Sequence, residues 1–479
     1  MFANVWSPVE ELTEVEESTS GIHVVTQPRH LRATGVQDAW LSLSKIAPLA
    51  PAVLVVLQVV AVVTFGVITI QRYPLWSAVD EGAHFDNVVY VAAHGSYPVL
   101  GKTLATEQEL AIGQGVYPRH TTINPRKFGL GGLSYEAFQP PLYYYVAAPV
   151  SLLSSNYHTK AILLRYFGLL LLMAAIALMA RLSRHVLQRR WLLGLSGGLL
   201  VFLLPGVIVR MVTISDVNLA VPLAILTVTE LWIAWRRQSS LRLLVCGLLV
   251  GCGVLTDLYL ADLVPLYVAV AGMMVWRRRT ADTVLPAVGG AFLAGIVVLP
   301  WVVFNEVKYH AATASAIAKR EQLAIVNPHN VRDTIGSLPG LTVRNLFQPL
   351  MAQEWGNRLI GHTFYSYLAT LLQVLLVPGA IVLAVALGRR LLSTGLWILI
   401  LPFVCNILLC WYIDIGQQWE SGSMVARYIY PTLPMVALFS VVAVLKLFST
   451  VRPLFVTLVL SSGFLIALWI FLVPSIASS

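Results

Sequence analysis

Apolar stretches of about twenty residues recur along most of this chain, and that repetition limits its fold more than any motif does. The hydrocarbon core of a bilayer is about 30 Å thick and takes about 20 apolar residues of helix to cross. Backbone amides in lipid have to be satisfied within their own segment, so a chain of this kind folds as a bundle of helices. Stretches of suitable length lie near residues 46–70, 160–180, 191–209, 217–235, 241–256, 258–276, 284–304, 366–388, 394–413, 428–449 and 453–474. They predict an all-α polytopic membrane protein with about eleven transmembrane helices; ten to thirteen fit the pattern, since the two stretches meeting at Asp257 are short. Only 11% of the 479 residues are charged, against roughly 25% in an ordinary soluble domain, which excludes the soluble classes.

Basic residues in short loops stay on the cytoplasmic side. Arg181, Arg184, Arg189 and Arg190 share one connection and Arg236, Arg237 and Arg242 another. They are followed by Arg277 to Arg279, by Arg389 with Arg390, and by Lys446 with Arg452. Every second connection is basic. The expected topology therefore starts in the cytoplasm and ends with Ser479 outside, in a plasma (inner) membrane. It requires that the apolar stretch from Pro140 to Leu153 lie at the outer face rather than cross. Pro140-Pro141 suits the start of such an interfacial helix, because proline is tolerated in a first helical turn.

Two long segments, 71–159 and 305–365, then fall outside the cytoplasm as loops containing interfacial helices. A single transmembrane domain covers 46–479, preceded at 1–45 by a disordered cytoplasmic tail with an acidic patch (Glu10, Glu11, Glu14, Glu16, Glu17). The net charge of +9 lies mostly in membrane-flanking loops, so membrane lipid is the partner it implies and nucleic acid is not. Cys246, Cys252, Cys405 and Cys410 all fall in apolar spans without paired spacing and read as core filler.

The chemistry gathers on the outer side. Asp80, Glu81 and His84 lie just past the first span, spaced to share one face if helical. Such a trio can supply a general base held by its neighbours. With Asp86 it also has the donors for a divalent cation such as Mg2+ or Mn2+, although no required cofactor is expected. The plain alternative is a solvated helix start, where acids favour the first turn. Further on, Tyr135-Glu136-Ala137-Phe138-Gln139 leads into Pro140-Pro141-Leu142-Tyr143-Tyr144-Tyr145, and Glu136 and Gln139 are candidates to bind sugar hydroxyls. Arg210, Ser215, Asp216 and Asn218 occupy one outer turn, Thr256 and Asp257 another, and Arg427 the outer end of a third span. Each has a plain reading too: Arg210 as a snorkelling side chain, Asp216 and Asp257 as helix caps. Among charges in the spans, Arg165 and Asp262 fall near outer ends, where they can line a cavity. Glu230, near the inner end by Arg236, reads as a structural ion pair.

Three of these elements together resemble a known family. Asp80-Glu81-Gly82-Ala83-His84, Gln139-Pro140-Pro141-Leu142-Tyr143-Tyr144 and Arg427-Tyr428-Ile429-Tyr430-Pro431 are similar to motifs of a bacterial branch of the GT-C glycosyltransferases. The late motif has Ala426 where that pattern has Gly, and Asp257 follows Thr256 where Lys is common. The resemblance implies transfer of a sugar from a polyprenyl-phosphate donor outside the cytoplasmic face, with Asp80 as base. The acceptor hydroxyl, on an unknown glycan, lipid or protein, would attack with inversion. A phosphate leaving group needs no acid of the kind used in glycoside hydrolysis; it needs positive charge. Guanidinium matches phosphate bidentately, which puts Arg427 first, beside Tyr428, with Arg344 and Lys308 behind. Asp216, Asn218 and Asp257 join Glu136 and Gln139 as substrate-binding candidates. Two other classes stay open. A secondary transporter or lipid flippase would place polar groups at mid-membrane in two related halves, and a lipid-linked glycan polymerase or ligase would use a large outer loop such as 305–365.

Overall fold

The computed structural model describes residues 49–76, 78, 80–100, 103, 135–313, 379–417, 426–447 and 453–477. All belong to one compact unit, Ala47–Ser479. The expected tail at 1–45, Arg344 and the second long loop beyond residue 313 lie outside the described residues. Every regular element among them is helical. In chain order they are α1 (Ala50–Arg72), α2 (Glu81–His94), α3 (Leu142–Ser151), α4 (Tyr157–Leu187), α5 (Trp191–Phe202), α6 (Pro205–Val212) and α7 (Val217–Arg237). There follow α8 (Arg242–Val254), α9 (Leu263–Arg278), α10 (Ala281–Tyr309), α11 (Arg389–Thr394), α12 (Trp397–Gln417), α13 (Leu433–Leu447) and α14 (Pro453–Ala477). Short 3-10 turns at Tyr135–Phe138, Leu258–Asp262 and Ala426–Ile429 lead into α3, α9 and α13.

Among the described residues, five helical stretches are long and apolar enough to cross a membrane, and there are shorter apolar helices besides. This is the architecture of a multi-pass membrane protein. Two expected spans are divided. The stretch 191–209 is interrupted at Leu204, whose ψ of 127° is extended, because Pro205 cannot continue the helix before it and opens α6 instead. The stretches meeting at Asp257 are joined through a 3-10 turn that Asp257 caps. In the first long loop, α2 and α3 are the expected short helices. At 1.5 Å per residue, the ten residues of α3 reach about 15 Å, half of what crossing takes.

The helices are arranged around α7. Its apolar stretch is 83% buried within the protein, against 11% for α10, which is therefore the peripheral span. α4 runs beside α7 and α5, α13 packs on α5, and α8 packs on α10. The α8–α10 contact is made by backbone: a Cβ on Gly247 would lie 1.9 Å from the Gly290 carbonyl oxygen, and one on Gly290 would lie 2.3 Å from that of Leu243. Without a hydrophobic drive between helices in lipid, such close approach of small residues is what associates them.

Candidate active site

α1 ends at Arg72, and residues 73–76, 78 and 80 are described between it and the start of α2 at Glu81. Asp80 is the N-cap of α2 with φ 65° and ψ 2°, and Trp76 in the same turn has φ 67°. Left-handed backbone costs a non-glycine residue about 1–3 kcal/mol and persists only where its surroundings fix it. A buried ion pair is bonded to this connection. Arg165 of α4, wholly buried, donates from Nε to Glu81 Oε1 at 2.8 Å and from Nη2 to Glu81 Oε2 at 2.7 Å. Two further donors reach the carbonyls of Tyr73 (2.6 Å) and Pro74 (3.1 Å). Glu81 also accepts from the Trp76 amide at 2.9 Å and the Ile214 amide at 3.3 Å.

The three acidic and imidazole groups expected on one face are therefore divided. An ionised carboxylate has about four acceptor sites, and all four on Glu81 are taken. Glu81 is turned into the protein, and Arg165 goes with it rather than lining a cavity. Asp80 and His84 instead line a common pocket with Gln139, Arg210, Asp216, Val217, Asp257, Tyr259 and Tyr428. The division follows from the backbone: left-handed Asp80 stands outside the helix, so regular 100° spacing does not relate it to Glu81.

Two pocket residues come from a local rule. Asp216 caps α7, accepting from the Val217 amide at 2.9 Å, and Asp257 accepts from the Tyr259 amide at 2.9 Å. Both are caps and pocket walls at once. His84 is 2% exposed; its Nδ1 lies 2.8 Å from the Tyr144 hydroxyl and its Nε2 3.8 Å from Asp216 Oδ1. Burial holds the phenols of Tyr97 and Tyr144 well above the usual range, and Glu136 and then Asp216 push Tyr97 further. Tyr144 thus keeps its proton and can donate to Nδ1, leaving Nε2–H facing Asp216. Arg210, on α6, is 2% exposed and brings a cation to the pocket. Tyr259 stacks on Tyr428 with ring centroids 3.7 Å apart, 19° from parallel.

Other expected residues stand elsewhere. Glu136 is buried in its 3-10 turn and does not line the pocket, although its neighbour Gln139 does. Asn218 pins the preceding turn, donating to the Thr213 carbonyl at 2.6 Å. Lys308 is exposed in the last turn of α10. Arg427 belongs to the 3-10 turn that carries Tyr428, and its side chain lies outside the described residues. Among the described residues, no group of three or more His, Cys, Asp or Glu side chains is placed to hold a metal ion. The donor set of Asp80, Glu81, His84 and Asp86 does not converge, since Glu81 is saturated by Arg165 and its neighbours, and Asp86 lies about 200° around α2 from His84. Tyr259 was not singled out from sequence; its position two residues after the capping Asp257 is the only local hint. The Arg165–Glu81 pairing joins residues 84 apart and has no local signature.

Solved structures to which this chain is similar include an ArnT and an oligosaccharyltransferase, both GT-C membrane glycosyltransferases. One is ArnT from Cupriavidus metallidurans bound to undecaprenyl phosphate, at 13% identity and TM-score 0.37, covering 83% of this chain and 78% of that one. The apo state of the same ArnT gives 13% and 0.35, with coverage of 82% and 77%. The Archaeoglobus fulgidus oligosaccharyltransferase in complex with Zn and sulfate gives 12% and 0.42 over 88% of this chain and 51% of that one, so this chain spans about half its length. No family model matches the chain, and no curated protein matches it.

Proposed function

We propose that this protein is a glycosyltransferase that moves a sugar from a polyprenyl-phosphate donor to an acceptor hydroxyl on the extracytoplasmic side. The observation that carries this is the shared pocket. Asp80 and His84 of the first motif, Gln139 of the second and Tyr428 of the third line it together, from positions up to 348 residues apart. In the reaction, Asp80 takes the proton of the acceptor hydroxyl as its oxygen attacks the anomeric carbon. A bond from carbon to acceptor oxygen forms, the bond from carbon to phosphate oxygen breaks, and polyprenyl phosphate leaves with the electron pair. One displacement inverts the anomeric centre. Arg210, with Arg427 next to Tyr428, receives the phosphate charge. His84, braced by Tyr144, lends its imidazole N–H to Asp216 or to a sugar hydroxyl, and Gln139 and Asp257 supply further sugar contacts.

The orientation has its own support. The pocket lies where α7 begins, and Arg236 and Arg237 lie where it ends, about 30 Å away at 1.5 Å per residue. Arg181, Arg184, Arg277 and Arg278 likewise stand in the last turns of α4 and α9 or just before them. Basic ends held in the cytoplasm favour a pocket on the outer side.

The test is to incubate purified protein with radiolabelled polyprenyl-phosphate sugars and a panel of acceptors, then extract free polyprenyl phosphate. Wild-type protein is expected to release it in step with sugar incorporation. Asp80→Asn, which keeps a residue at home in left-handed backbone, is expected to be slower by about 100- to 10,000-fold while inserting and folding normally. Movement of intact donor across a vesicle without release would instead make the protein a transporter. Near-normal turnover by Asp80→Asn would remove Asp80 from the base role.

A further inference from the structure

We propose that Arg165, acting through Glu81, is a positioning residue: the buried ion pair clamps the Tyr73–Asp80 turn in a strained shape that aims Asp80 into the pocket. The inference rests on the proposed role of Asp80 as base, and it concerns two residues outside the pocket wall.

The pair is built unlike an ordinary ion pair. Both side chains are at most 1% exposed, and together they hold four backbone groups from two separate connections. Arg165 binds the carbonyls of Tyr73 and Pro74, and Glu81 binds the amides of Trp76 and Ile214. The first three belong to the turn that ends at Asp80. Ile214 precedes Ser215 and Asp216, so the same carboxylate also ties the connection that carries Asp216, another pocket residue. Between the clamped points, Trp76 and Asp80 both have left-handed backbone, at φ 67° and 65°. For a residue as bulky as Trp76 this is a true outlier. Trp76 is held further by its ring against Phe85, with centroids 4.9 Å apart. Strain of this kind survives because the surroundings over-determine it, and it collects where geometry serves function. With the clamp released, the turn is expected to relax and Asp80 to move; a displacement of about 1 Å costs a reaction about 100-fold.

Glu81→Gln is the informative variant. It keeps shape and volume but replaces one acceptor oxygen by a donor NH2, which faces the donors that oxygen served. Arg165→Lys is the companion: it keeps the charge but loses the fork that reaches two carbonyls and a carboxylate together. Two measurements are made on full-length purified protein. Backbone hydrogen exchange is expected to rise at least about tenfold at Trp76, Ile214 and the first turn of α2, with α7 unchanged. Transfer assays are expected to show kcat lowered by about 10- to 100-fold with KM for the donor unchanged, and no further loss when Glu81→Gln is added to Asp80→Asn. Exchange that stays at the wild-type level in both variants, or a kcat that does, overturns the clamp. Loss spread evenly over α7 and the pocket overturns it as well, as general destabilisation. If wild-type protein transfers no sugar, the functional proposal falls by itself. The exchange arm then decides alone, a local rise supporting the clamp and its absence overturning it.

Discussion

Helix α4 carries two arginines that each pair with a glutamate, and the two pairs differ in nearly everything but residue type. At its pocket end, Arg165 and Glu81 are 1% and 0% exposed, and they spend their remaining hydrogen-bonding capacity on backbone groups. Toward its other end, Arg181 and Arg242 both reach Glu230, whose side chain is 7% exposed while theirs are 43% and 33% exposed. The second arrangement staples α4, α7 and α8 by side chains alone; positive φ occurs near it too, at Gln188 and Gln238 where α4 and α7 end, but none of its three side chains bonds that backbone. The first holds two left-handed residues and borders a pocket. A buried ion pair is weak evidence for stability in itself; what distinguishes these two is the backbone each one restrains.

The largest effect expected from this difference is that of Arg165→Met. Removing one partner leaves the Glu81 carboxylate buried and uncompensated, which costs about 3–5 kcal/mol in comparable cases. Denaturant titration of the purified protein in mixed micelles should show that loss. Transfer should fall with it even under conditions where the variant is folded. A variant as stable as wild type would mean that Glu81 finds other donors and that the pair holds nothing.

The spans were legible because lipid asks for length and apolarity, and both can be read without knowing neighbours. The expected 217–235 and 284–304 lie within α7 (Val217–Arg237) and α10 (Ala281–Tyr309). Where a span needs a local break, the cue was weaker. Pro205 was visible, but whether a proline kinks a helix or divides it depends on the packing around it. At the site, Asp216 and Asp257 could be read both as caps and as candidate site residues; both cap their helices and both line the pocket, which lies where those helices begin. Glu81 was the misleading case. Its place beside Asp80 suggested shared chemistry, and only a left-handed residue at 80 sends the two side chains different ways. No local pattern announces a positive φ at an aspartate, or the distant arginine that makes it tolerable. Glu230 was legible as an ion pair, although its partners are Arg181 and Arg242 rather than Arg236.

Glu230→Gln tests the other side of the comparison and should cost less. Both of its arginines are about a third or more exposed and can turn to water once the carboxylate is gone. The loss of stability is therefore expected near 1 kcal/mol, in the range of partly exposed pairs. Transfer should stay within about twofold of wild type, because nothing tied to the pocket has been released. A fall in kcat matching that of Glu81→Gln would show that the two ends of α4 are coupled and that the clamp is not local.

Arg181→Gln should have the smallest effect, and its dependence on salt is the sharper observable. Removing one of two half-exposed arginines leaves Glu230 paired with Arg242, so the expected cost is below about 1 kcal/mol. At 1 M salt the screening length falls to about 3 Å, so an exposed pair loses most of its contribution while a buried one is screened much less. The stability gap between Arg181→Gln and wild type is thus expected to close as salt rises, and the gap for Arg165→Met to persist. If both gaps closed together, water and ions would reach Glu81 as readily as Glu230. The strained turn before Asp80 would then have to be held by its packing, with Trp76 on Phe85 the first contact to examine.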